Sequence, residues 1–303
     1  DMGAQPHQGA GYLDVTKQGS ADHYRENYGV SVPTHIGYKI PQMFNAALEN
    51  KLKALWIMGE DVVQTDPNTQ HVMDALNKLD MLVVQEIFLT ETAKLADVIL
   101  PGTTFLEKNG TFTNAERRIQ RVVEVVPPLE GTKTDGQIVV DMMNRMGYEQ
   151  KGYDADITLQ EISKVVPFFA GVKWDELGID GKQWPVKEDG DDTKILHQGE
   201  FKRGKGKFHY FDWQETRELV NHGDEYPFIL TTGRELEHYN CGTMTRRTSN
   251  VDLLTEDILL INPRDAHKKK IQTGDRVTLT SARGRVELNA RVTDKVKSRV
   301  LYT

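Results

Sequence analysis

The hydrophobic positions of this chain change period several times, and each change predicts a new element. Residues 55–58, Leu-Trp-Ile-Met, make a short unbroken apolar run, the pattern of a buried strand. The run stops at Gly59-Glu60-Asp61, and the next apolar positions, Val72, Met73, Leu76 and Leu79, have helical spacing. Residues 81–86 predict a second buried strand, 91–96 a short helical step, and 97–101 a third strand closed by Pro101. Strands alternating with helices imply a parallel sheet with right-handed crossovers. Ahead of this block, residues 1–50 carry little periodicity until a helix predicted over 41–48.

After it, residues 109–114 predict a turn feeding a short strand, and 119–126 extended chain as far as Pro127-Pro128. Asp135 precedes Ile138, Val139, Met142, Met143 and Met146, an amphipathic helix whose methionines are core and which ends at Gly147. Residues 150–222 mix Gly, Asp, Lys and Trp with weak periodicity and include an acidic loop over 188–192. Patterning resumes at Tyr226-Pro227. Residues 228–233 predict a strand entering a glycine turn, and 258–261 another strand. Asn262 and Pro263 then read as N-cap and first turn of a short helix. Val277 and Leu279, then Val286, Leu288, Ala290 and Val292, alternate as two strands around residues 282–284. The expected organisation is an α/β, Rossmann-like parallel-sheet domain over 1–150, an insertion or linker over 151–222, and a β-barrel domain over 223–303.

Composition narrows the class. With 303 residues, 38% hydrophobic and 27% charged, the chain has the make-up of a soluble globular protein of about two domains. A net charge of −7 argues against nucleic acid as a general partner, and His267 with Lys268–Lys270 reads as a solvated helix face. No run approaches the roughly 18 apolar residues of a membrane span. The single cysteine, Cys241, excludes a four-cysteine metal site within the chain and lacks the neighbours of a nucleophile. It suits a reducing compartment, and a cytoplasmic location is expected. The opening Asp1-Met2-Gly3-Ala4 and the close inside a β-like run lead us to expect a piece of a longer polypeptide.

The chemistry concentrates where the first strand ends. In a parallel α/β sheet, ligands bind outside the carboxyl ends of the strands. There Gly59 admits close approach, and Glu60 and Asp61 offer acceptors to ring nitrogens or hydroxyls.

Several motifs in order carry a family resemblance: residues 58–61; Glu91-Thr92-Ala93 through Asp97 to Pro101; Glu107 to Gly110; Phe112-Thr113-Asn114; and Arg117. Together they resemble the molybdopterin oxidoreductases. Residues 232–235, with His238-Tyr239-Asn240 and Thr243-Met244-Thr245, resemble that family's C-terminal dinucleotide-binding domain, a double-psi-like barrel. The opening block and Thr34-His35-Ile36-Gly37-Tyr38 are similar to formate dehydrogenase catalytic subunits.

The resemblance implies an oxidoreductase holding two molybdopterin guanine dinucleotides (bis-MGD) with molybdenum or tungsten, and oxidising formate to carbon dioxide. Gly59, Glu60 and Asp61, helped by Thr65, would line a guanine or ribose, with Gln85 beside them. Asp135 would contact the other nucleotide or pterin. Arg234, Glu235, His238, Tyr239 and Asn240 would line the second cofactor. The metal-ligating cysteine or selenocysteine, its histidine, the substrate arginine and the cysteines of a [4Fe–4S] cluster would lie upstream. No catalytic residue and no metal ligand is therefore expected here. The implied partners are the upstream half of the subunit and iron–sulfur or flavin subunits that pass electrons to an acceptor such as NAD. The alternatives are a nitrate or sulfoxide reductase of the same family, or a non-catalytic scaffold such as the large iron–sulfur subunit of complex I.

Overall fold

The computed structural model describes residues 5–201 and 203–303, so the 1–4 block lies outside the described residues. The chain divides into two compact units, Asp1–Lys205 and Gly206–Thr303.

The first unit contains α1 (Gln18–Tyr28), α2 (Ile40–Leu48), β1 (Ala54–Met58), α3 (Val62–Thr65), α4 (Thr69–Asn77), β2 (Met81–Glu86), β3 (Val98–Pro101), β4 (Gly110–Thr113), β5 (Arg118–Val122), α5 (Asp135–Arg145), α6 (Ala155–Val165) and β6 (Lys182–Gln183). Strands β1, β2 and β3 form a parallel sheet in sequential order, with Leu55 opposite Leu82 and Ile57 opposite Val84. Because side chains alternate along a strand, these four share one face. That face packs on Phe44 and Ala47 of α2, Val62 and Val63 of α3, and Val72, Ala75 and Leu76 of α4. Each large apolar side chain buried here contributes about 1.5–3 kcal/mol. The step expected over 91–96 is a single 3-10 turn, Ala93–Leu95.

Residues 151–222 hold more structure than their weak periodicity indicated. Helix α6 is capped by Asp154, whose side chain accepts from the Ile157 N–H, and it buries Leu159 and Val165. Leu159 joins Ile119, Val172, Leu177 and Val186 in a second core beside the antiparallel β4-β5-β6 sheet. Arg117 ties this region together: its guanidinium donates to the carbonyls of Trp184, Thr193 and Lys194. Helix α1 was also unmarked in the pattern, since Tyr24 is its one buried residue.

The second unit contains α7 (Arg217–His222), β7 (Ile229–Thr231), β8 (Ile258–Ile261), α8 (Pro263–Lys269), β9 (Arg276–Ser281), β10 (Gly284–Val292) and β11 (Val300–Tyr302). Its mixed sheet, ordered β7-β11-β8-β10-β9, curls into a half-barrel. Leu259, Ile261, Ala266 and Leu301 form its core. Asn262 caps α8 by accepting from the Arg264 N–H, with Pro263 in the first turn. Among the described residues, no helix is long and apolar enough to cross a membrane.

Candidate functional site

The carboxyl ends of β1, β2 and β3 bring together Gly59, Glu60, Asp61, Gln85, Glu86 and Gly102. Gly59 has φ +63°, in the left-handed region, and a Cβ there would meet nothing within 4 Å. The glycine therefore answers a backbone demand and borders open space. Its N–H is bonded to the Gln85 carbonyl at 2.9 Å, which fixes the turn to the end of β2.

The two carboxylates that follow have different surroundings. Glu60 is exposed and accepts from the Thr65 hydroxyl at 2.7 Å. Asp61 is 3% exposed and turned inward. One of its oxygens accepts from the Thr92 N–H at 2.9 Å and the Thr92 hydroxyl at 2.7 Å, and the other accepts from the Gln64 amide. The Thr92 hydroxyl in turn accepts from the Val63 N–H. Asp61 thus clamps the loop after β1 onto the turn before β3, and its acceptor capacity is largely spent on the protein.

Gln85 is 1% exposed and donates to Asp135 Oδ1 at 2.8 Å, while its own carbonyl oxygen is buried without a partner. Asp135, in the first turn of α5, receives Lys108 on its other oxygen at 2.5 Å. Gly102 makes room for it, since a Cβ there would stand 3.2 Å from Asp135 Oδ1. Burial raises the pKa of Glu86, and the nearby charges of Asp61 and Asp135 push it the same way. Burial also raises that of Asp66, with Glu60 adding to it. The strand ends therefore gather carboxyl and amide oxygens and suit a ligand that brings N–H or hydroxyl donors.

Sequence reasoning passed over Glu86 and gave no role to Thr92 and Lys108, although both lie in the motifs quoted above. The signal for Glu86 was available, because a carboxylate directly follows Gln85 at the end of β2, as Glu60 follows Gly59 after β1. A separate cleft of about 490 Å³ opens next to Asp135, with Lys108, Arg121, Lys133, Glu124, Tyr153 and Asp156 in its wall. Gly59, Glu60, Asp61 and Gln85 do not line it.

In the second unit, Arg234, Glu235 and Tyr239 are exposed on the loop after β7. Arg234 donates to the Asn240 side chain at 2.6 Å, and Asn240 itself has φ +51°. His238 is buried and committed on both ring nitrogens, Nε2 to the Leu254 carbonyl and Nδ1 to the Thr245 hydroxyl, each at 3.1 Å. A carbonyl can only accept, so Nε2 carries a proton and donates to Leu254. His238 shapes the loop, while Arg234, Glu235 and Tyr239 face outward from it. Gly233 is needed for a different reason: a Cβ there would fall 1.8 Å from the Tyr302 hydroxyl.

Comparisons with known proteins agree with these two units. The residue pattern of the family described as Molybdopterin oxidoreductase matches residues 3–145, and that of the Molydopterin dinucleotide binding domain matches residues 228–303. All of the chain aligns, at 42% identity, with an F420-dependent formate dehydrogenase subunit alpha of Methanocaldococcus jannaschii, covering 45% of that protein. A second protein of that description, from Methanococcus maripaludis, is 43% identical, with the same coverage of both chains. A probable oxidoreductase of Bacillus subtilis is 38% identical and is covered over 31% of its length. The chain thus spans less than half the length of these relatives. In fold it is similar to acetylene hydratase from Pelobacter acetylenicus, with a TM-score of 0.67 over 93% of this chain and 42% of that one, at 20% identity.

Proposed function

The chain belongs to the molybdopterin oxidoreductase family, and on that premise we propose that it is the C-terminal portion of a formate dehydrogenase catalytic subunit, built to hold molybdopterin guanine dinucleotide. The observation that carries the reading is the unbroken similarity of the whole chain to formate dehydrogenase alpha subunits, at 42% and 43% identity.

The residues present suit the cofactor. The Gln85 carbonyl oxygen is a buried acceptor with no donor, a costly state that a ligand N–H would relieve. Open space beside Gly59 lets a ring or ribose approach the backbone. In this assignment Gly59, Glu60 and Gln85 face the nucleotide, while Thr65 orients Glu60 and Asp61 holds the loop in shape. Asp135, paired with Lys108, orients Gln85 and reaches the other nucleotide or pterin. On the second unit Arg234, Glu235 and Tyr239 meet the other cofactor, the guanidinium supplying donors to pyrophosphate oxygens. Asn240 positions Arg234, and His238 rigidifies the loop. When bound, the cofactor carries the metal at which formate would yield two electrons. The chain's own work is to bind, orient and shield that cofactor. Iron–sulfur clusters upstream, partner electron-transfer subunits and a cytoplasmic location complete the proposal.

The test is acid–iodine oxidation of the purified protein, with fluorescence and mass analysis for oxidised pterin and released GMP, alongside formate oxidation by the complete subunit. Pterin and GMP together with formate turnover are expected. A complete subunit lacking both pterin and turnover would point to a scaffold and overturn the reading.

A further inference from the structure

Helix α8 and the segment ahead of β11 build one surface. Asn262, at the helix cap, donates its side-chain amide to the Val296 carbonyl at 2.7 Å, and Val296 is buried. Asp265 accepts from the Ser298 hydroxyl at 2.9 Å and from the Arg299 N–H at 2.6 Å. The segment is thereby pinned along the first turn of the helix.

This surface carries six exposed cations: Arg264, Lys268, Lys269 and Lys270 from the helix and its C-cap, and Lys295 and Lys297 from the segment. The ion pairs within the second unit go to Arg246, Arg276 and Arg283, and among the described residues none reaches these six. Two carboxylates belong to the same elements. Asp265 is 4% exposed and spent inward, so Asp294 is the one open to solvent.

Helix stability explains only part of the set. The carbonyl end of a helix favours cations, which accounts for Lys268, Lys269 and Lys270 as a solvated face. Arg264 is the second residue of α8, at the end where the dipole disfavours positive charge, and Lys295 and Lys297 belong to no helix. Together they concentrate like charges that repel one another, within a chain whose net charge is −7.

We propose that the α8 face is a docking surface for an acidic protein, whose Asp and Glu side chains pair with these ammonium and guanidinium groups. Two other polyanions fit less well. No large apolar side chain is exposed on α8 or over 293–299 to enter a bilayer. No Phe, Tyr or Trp stands there to stack an unpaired base, and the negative net charge of the chain disfavours nucleic acid. Without an apolar centre the contact is held by charge, so it forms fast, dissociates readily and weakens with salt. None of the six residues has a role in holding the cofactor, so the proposal stands apart from the formate dehydrogenase reading.

The test titrates the complete subunit into a fluorescent oligoglutamate probe and follows anisotropy. Binding at low ionic strength is expected, and Lys268→Glu combined with Lys297→Glu is expected to weaken it about 10-fold. Lys268→Gln with Lys297→Gln removes the charges without placing a carboxylate beside Asp265, and is expected to weaken binding about 3-fold. Both differences shrink in about 0.5 M salt. Lys78→Glu with Lys164→Glu, on the first unit, is the control and is expected to leave binding unchanged. No binding of the probe at low salt, no loss in the two α8 variants, or an equal loss in the control overturns the proposal. Tighter binding of single-stranded DNA or of phosphatidylserine vesicles, lost in the α8 variants, assigns the face to another polyanion and also overturns it. So does self-association of the subunit that the α8 variants abolish, which makes the partner a second copy.

Discussion

Asp61 is a buried carboxylate whose partners all belong to the protein, so its removal acts first on folding. Asp61→Ala strips the Thr92 N–H and hydroxyl of their acceptor and leaves donors buried, a loss of about 2–3 kcal/mol. A fall in the urea midpoint with an unchanged slope is the expected result, and an unchanged midpoint would show that the loop is held by something else. Glu86 is read through pH instead. Its folded pKa is raised, mainly by burial, so its relative contribution is fully present below the unfolded value and is lost as pH rises through the folded one. Glu86→Gln keeps an acceptor for the Ile87 N–H and removes the charge. The variant is expected to lose less stability than the parent as pH rises from about 4 to 7; parallel stability curves would refute this.

At the scale of elements, Asp265 of α8 joins a helix to the segment ahead of β11. It accepts from the Arg299 N–H at 2.6 Å and the Ser298 hydroxyl at 2.9 Å, and the Arg299 bond chiefly lowers its pKa. A depressed carboxylate stabilises above its unfolded pKa, near 3.9, and that contribution is lost as pH falls through the folded value. Asp265→Asn is expected to flatten the acid limb of the unfolding curve followed by circular dichroism. The elements easiest to read from sequence were those with an unambiguous period or cap: β1, β2, α4, and the pair β8 and α8 with Asn262 and Pro263 at the junction. Helix α5 was also placed, but its methionines are not core, since Ile138 is its one buried residue and Met146 is 80% exposed at the C-cap. Helix α6 stayed hidden although Asp154 and the spacing of Leu159, Ile162 and Val165 marked it, because exposed Ile157 blurred the stripe. The site was half legible. Gly59 and Gln85 could be placed from the strand ends, but the inward turn of Asp61 depends on Thr92, 31 residues away, and local sequence does not encode that distance.

For the whole molecule, a ligand that binds only the folded state adds stability by mass action. At a free concentration of 100 times its Kd the gain is about 2.7 kcal/mol, so cofactor-loaded protein is expected to melt above cofactor-free protein in calorimetry. Equal melting temperatures would argue against the nucleotide site. The Asp61–Thr92 clamp also leaves a mark on ancestry. Serine in place of Thr92 retains both donors, whereas valine retains only the backbone N–H and leaves one of the three partners of Asp61 missing. Across an alignment of homologous proteins the two columns are therefore expected to change together: serine or threonine wherever the aspartate persists, and release of the second position in lineages where the first has been lost.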